Sequence, residues 1–176
     1  VSASTVTELT ALYQNGQVFL TWKNVSTTNL QYNVYRSLTP FTSSSQLTSS
    51  TYLGYVRDNS AQNIRKSQIK GSNYYYVITG NQAALSSDRG LYVITCTSLS
   101  SFYYAVTVTT LSDNVEDKTV VTGSNSLLLP AIENVAAPQA VLQTITSQNN
   151  GDMSYEYVIW GNNQDVSNWH AFNNLG

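Results

Sequence analysis

Few side chains in this chain are of types that carry covalent or metal chemistry. Its 176 residues include one cysteine, Cys96, and one histidine, His170. A thiolate nucleophile needs a base within hydrogen-bond reach, and the only imidazole lies far along the chain. Zinc needs four ligands at tetrahedral spacing. One Cys and one His cannot fill that set, and Asp165 with His170 supplies only a pair. Acyl transfer on an α/β-hydrolase sheet needs a Ser at a sharp Gly-x-Ser-x-Gly elbow, and no such run occurs. Glycoside cleavage needs two carboxyl groups held roughly 5–10 Å apart across a sugar. The candidates, Asp113, Glu116 and Asp117, crowd one turn and read as a water-facing polar turn, with calcium binding as the sharper alternative. No glycine-rich phosphate cradle is present. The sequence therefore predicts no catalytic residue, no metal site and no cofactor.

Charge narrows the partners further. Ten acidic and eight basic residues leave a formal charge of −2, which gives no electrostatic footprint for nucleic acid or an anionic membrane. The one basic cluster, Arg65, Lys66 and Lys70, reads as a solvated loop face. No apolar run approaches the roughly 20 residues that span a bilayer as a helix. Charged residues make up 10% of the chain, against about 25% in ordinary soluble domains. Ser, Thr, Asn and 13 Tyr take their place. Such a polar, weakly charged surface leads us to expect a secreted, extracellular or cell-surface protein. The opening Val1-Ser2-Ala3-Ser4 would fit a mature end after removal of a signal segment, and would also fit a trimmed fragment. A single cysteine permits no intrachain disulfide, and Cys96 reads as a small core residue. Asn24-Val25-Ser26 matches a glycosylation sequon and reads as a chance match.

The elements that must position these residues are strands. Phe102 to Thr109 alternates, with Tyr104, Val106 and Val108 on one face and Tyr103, Ala105, Thr107 and Thr109 on the other. That is the period of a half-buried strand. Val18, Leu20 and Trp22 share a face in the same way. Upstream, Val6 to Tyr13 places Leu9, Ala11 and Tyr13 on one face, and Asn15-Gly16 predicts a tight hairpin turn into Val18–Trp22. Gln31 to Arg36 is a third strand, with Tyr32 and Val34 facing in. Tyr52–Arg57 and Tyr74–Thr79 read as short strands, Leu91–Cys96 as a longer one after Gly90, and Val115–Val121 as the last strand of the body. Asn59 to Lys70 is polar and aperiodic apart from Ile64 and Ile69, and no helix of normal length is expected.

A Trp-bearing early strand and a Tyr-bearing late strand predict an all-β sandwich, two sheets closing over a shared core. The expected core is Trp22, Tyr32, Val34, Tyr104, Val106 and Val108. Residues 1–126 read as this sandwich, with an insertion at about 37–90. Residues 127–148, holding Pro130 and Pro138, read as an extended connector. Residues 149–176 read as an extension or the start of a following domain, with a strand at Tyr155–Trp160. Flat exposed rings can stack on sugars. Phe19, Tyr35, Tyr75, Tyr103, Trp160 and Trp169 are candidates, although aromatic side chains in strands more often pack across them. Tyr157, Trp160, Trp169 and Phe172 are the candidate contacts for a neighbouring domain or subunit.

Leu9-Thr10-Ala11, Asn15-Gly16, Val18 to Trp22, Tyr32-Asn33-Val34-Tyr35-Arg36-Ser37 and Tyr103 to Val108, in this order, resemble a fibronectin type III domain, an immunoglobulin-like β-sandwich. In that family the Trp lies in the second strand and the Tyr pair in the sixth. The resemblance covers roughly residues 6 to 121 and breaks at 37–90. A narrower resemblance rests on Tyr32 to Ser37, Asn59 to Ala61, Gly90 to Thr95, Tyr103 to Thr107 and Pro138 to Gln143. That series is similar to the region before the catalytic domain in large secreted bacterial hydrolases of the esterase-like kind. It implies a non-catalytic accessory or spacer module whose partner is a following catalytic domain, docked through the C-terminal segment. Two other readings are a surface or filament subunit assembling through edge strands at 144–160, and a carbohydrate-binding module with polysaccharide as its partner.

Overall fold

The computed structural model describes residues 5–80 and 82–134, and the backbone of residues 142–149 and 154–160. The chain divides into two units, the second being Pro138–Phe172. In chain order the first unit carries β1 (Thr7–Gln14), β2 (Gln17–Lys23), β3 (Leu30–Ser37), β4 (Tyr52–Arg57), a short helix α1 (Ile64–Lys70), β5 (Arg89–Thr95), β6 (Ser100–Thr110), β7 (Val115–Asp117) and β8 (Ala131–Glu133). The second unit holds β9 (Leu142–Asn149) and β10 (Ser154–Trp160), an antiparallel pair.

Antiparallel strands of the first unit form two sheets. One is ordered β1-β2-β5, the other β4-β3-β6-β7, with β8 also paired to β6. Asn15 and Gly16 join β1 to β2 at φ 51° and 79°, the two positive values that a type I′ turn requires. β7 and β8 share the role of one interrupted strand. β7 lies against Val108–Thr110, β8 lies against Ser100–Phe102, and Ser126 bridges Ala105 between them. The break is stitched by Asn125, whose buried amide donates to the carbonyls of Val106 and Thr119 and accepts from the Val121 N–H.

The core between the sheets is the inward rows of β2, β3 and β6. Trp22, Tyr32, Val34, Tyr104, Val106 and Val108 are all buried. Trp22 reaches across to Tyr32 with ring centroids 5.6 Å apart. Gly90, paired with Trp22 across β2 and β5, has no room for a side chain because the indole fills that space.

Several details differ from the expectation. β3 and β6 are buried on both faces, not one. Tyr35 and Ala105 face outward from the sandwich, yet Phe41 and Leu47 cover them as a second small core. That cover comes from residues 38–51, held down where Ser126 and Thr122 hydroxyls donate to the Phe41 carbonyl. The last strand ends at Asp117 rather than Val121. Tyr74–Thr79 is not a strand; only Tyr75 bridges Gln62. Asn59–Lys70 contains a helix of two turns, capped by the Asn63 side chain at one end and by left-handed Gly71 at the other, the pair of signals that bounds a short helix. Residues 127–133, read as the start of a connector, place Leu127, Ala131 and Glu133 in the buried interior, because β8 completes the edge of β6. No helix among the described residues is long and apolar enough to cross a membrane.

Candidate functional site

The outer face of the second sheet gathers the most polar and aromatic side chains. β3 contributes Gln31, Asn33 and Tyr35, spaced by two and therefore on one side of the pleat. β6 adds Thr107 and Thr109 opposite Asn33 and Gln31, and β7 adds Glu116 opposite Thr109. These groups are hydrogen-bonded into one array. Gln31 Nε2 donates to Asn33 Oδ1 at 2.7 Å, and Asn33 Nδ2 donates to Thr109 Oγ1 at 2.8 Å. The Tyr35 hydroxyl donates to Glu116 Oε1 at 2.7 Å, and Thr107 donates to the same oxygen at 2.5 Å. Burial and then the Glu116 carboxylate push the Tyr35 hydroxyl well above its usual range, as desolvation and a neighbouring negative charge must for a phenol.

β4 forms the edge of this face and carries Tyr52 and Tyr55. Residues three apart in a regular strand point to opposite sides. Here they share a side, because the pairing of β3 with β4 slips between Val34 and Tyr35. The slip is a bulge, and bulges re-aim side chains. Gly54 sits within it at φ 156°, and a Cβ there would lie 2.7 Å from Tyr92 Oη. Glycine therefore meets both the backbone angle and the space. Tyr52 and Tyr55 remain 40% and 49% exposed. Tyr35 packs edge-on against Tyr52 at 5.5 Å, and the Arg57 guanidinium lies 5.4 Å from the Tyr55 centroid.

A second polar cluster is wholly internal. Glu133 is 1% exposed and accepts the Tyr104 hydroxyl at 2.5 Å, while its Oε2 has no hydrogen-bond partner. Burial and then this carboxylate raise the Cys96 thiol to about 12 and push the Tyr104 hydroxyl far above its usual range. A thiol so poised stays protonated and is a poor nucleophile.

The three candidate carboxylates do meet, along an open cleft of about 980 Å³ beside β7. Each is already engaged in holding backbone or sheet. Asp113 Oδ1 accepts the Val115 N–H, Asp117 Oδ1 accepts the Thr119 N–H, and Glu116 takes the two hydroxyls. Glu116 is thus a sheet anchor rather than part of a plain water-facing turn. No group of three His, Cys, Asp or Glu among the described residues is placed to hold a metal. Arg65, Lys66 and Lys70 lie on α1, where Lys66 sits over the Tyr74 ring. The Asn24 Oδ1 of the sequon is enclosed without a partner.

Of the candidate stacking rings, Phe19 and Tyr35 are buried, and Tyr75 and Tyr103 are half-buried. Tyr157 and Trp160 fall in β10, whose side chains lie outside the described residues, as do Trp169, His170, Asp165 and Phe172. Tyr52 and Tyr55, the two exposed rings on the sheet, were not among the sequence candidates. Their only signal was Tyr-x-Gly-Tyr, a glycine inside a strand marking a bulge. Nothing among known protein-family models, curated proteins or solved structures matches this chain.

Proposed function

We propose that this chain is a fibronectin type III-like β-sandwich that serves as a non-catalytic accessory or spacer module of a secreted bacterial multidomain hydrolase of the esterase-like kind. The observation that carries the reading is the strand order, β1-β2-β5 against β4-β3-β6-β7. The fourth strand sits beside the third, not in the first sheet as in constant-type immunoglobulin domains. The buried Trp of β2 and Tyr of β6 support the reading. The side chains able to do chemistry support the non-catalytic part: Cys96, Glu116 and Glu133 are each bound into the framework. Sequencing the encoding gene past the codon for Gly176 tests the module reading. An in-frame esterase-like catalytic domain is the expected result, and a stop codon there would end it.

A second reading, an edge-strand assembly subunit, is favoured by one feature. β9 and β10 form a sheet of two strands only, among the described residues. An isolated two-stranded hairpin is marginal in water, so it gains from a further strand supplied by a partner. Light scattering that stays monomeric at millimolar concentration removes this alternative.

A further inference from the structure

We propose that the outer face of the second sheet, at the β4 edge, is a binding surface for neutral oligosaccharide, with Tyr52 and Tyr55 as stacking platforms. The inference goes beyond the accessory-module reading and does not depend on which domain follows. Tyr52 lies opposite Tyr35, and Tyr55 lies opposite Asn33. Tyr35 and Asn33 are two residues apart on one strand, which separates the two rings by roughly 7 Å along it. That spacing lets two rings meet successive units of one sugar chain. The platform is built rather than incidental. The bulge turns both rings to one side, and Gly54 with Tyr92 fixes the bulge. Tyr35, its hydroxyl anchored on Glu116, braces Tyr52 from beneath. Rigid tyrosines lose little entropy on binding.

The surroundings select the ligand class. The Arg57 guanidinium lies over the Tyr55 ring with donors that no ion pair among the described residues consumes, and Gln31 opposite Arg57 offers the remainder of its amide. A pyranose presents C–H groups on its faces and hydroxyls at its rim. Ring faces suit the first, planar guanidinium and amide groups the second. A protein partner would want a centre depleted of carboxylate, whereas Glu116 stands against Tyr35 beneath the rings here. An anionic ligand would meet Glu116 as well as Arg57. A neutral sugar chain meets both without penalty.

Native affinity electrophoresis of the full chain in gels containing soluble xylan, β-glucan, galactomannan or α-glucan tests the surface. At least one of these should retard the protein. Tyr52→Ala and Tyr55→Ala should each weaken that retardation about tenfold, with melting temperatures that confirm folding. Leu129→Ala, at an exposed leucine in the loop before β8 and outside β3 and β4, should leave retardation unchanged. Wild-type mobility unaffected by all four polysaccharides would overturn the proposal. So would retardation that survives the Tyr52→Ala/Tyr55→Ala double variant. None of these outcomes touches the gene-level test of the module reading.

Discussion

Replacing Gly90 with alanine adds one methyl group and should be among the most damaging small changes this sandwich can suffer. A Cβ at that position would lie 2.1 Å from Trp22 Cε2, 2.2 Å from Nε1 and 2.5 Å from Cζ2. Real carbon contacts do not approach so closely, so the indole must move or the strands must part. Trp22 is fully buried and packed on Tyr32, so it has nowhere to go without opening the core. Overpacking of this kind costs about 1–3 kcal/mol, more when the neighbour is rigid. For a sandwich of this size, about 3 kcal/mol lowers Tm by roughly 10 °C. Differential scanning calorimetry of three variants separates the causes. Gly80→Ala, with open space around it, should be within about 0.5 kcal/mol of the parent. Gly123→Ala, also in open space but at φ 80°, should show only backbone strain of about 1 kcal/mol. Gly90→Ala should show the full steric cost. In a Trp22→Leu background that cost should largely vanish, since the clashing atoms are gone. A Gly90→Ala melt within about 2 °C of the parent, or a cost that persists without the indole, would refute this packing.

Other perturbations follow from the buried polar groups. Tyr104→Phe strands the Glu133 carboxylate and should cost about 1–3 kcal/mol, while adding Glu133→Met should recover most of it, since removing both partners is nearly neutral; chemical denaturation measures both. With the Cys96 thiol pushed up to about 12 by burial, roughly one thiol in ten thousand is ionised at pH 8. An aromatic disulfide reagent should leave native protein unlabelled and react fully once it is unfolded. Tyr32 is raised to about 12 by burial, and Tyr35 and Tyr104 are raised further. Their folded pKa values exceed the unfolded value near 10, so the unfolded state loses protons first. Stability is intact below pH 10 and falls as pH rises toward the folded values, by up to about 1.4 kcal/mol per pH unit for each group. Urea midpoints measured from pH 8 to 12 should stay flat and then drop.

The inner rows of the sandwich were legible because period-two burial leaves a direct mark on sequence. Tyr104, Val106 and Val108 alternate cleanly, and so do Val18, Leu20 and Trp22. Asn15-Gly16 carries its own turn chemistry. The outer rows were not legible. Tyr35 and Ala105 are covered by Phe41 and Leu47 from a loop with no periodicity, so local pattern gave no hint of a second core. α1 escaped because Ile64 and Ile69 are exposed and so mark no apolar stripe, although Asn63 and Gly71 bound it. The interruption between β7 and β8 hid the strand that supplies Glu133, because its three residues lie in the stretch read as an extended connector. Tyr52 and Tyr55 reach one face only through a bulge. A strand read as regular assigns them to opposite sides and conceals the platform.

On the non-catalytic reading proposed above, Cys96, Glu116 and Glu133 hold the sandwich together instead of acting on a substrate. Ester hydrolysis by the purified chain, followed with a chromogenic acyl ester from pH 5 to 9, tests it most directly. A rate equal to that of buffer is expected for wild type and for Cys96→Ser and Glu116→Gln alike. Turnover that scales with protein concentration and disappears in either variant would contradict it.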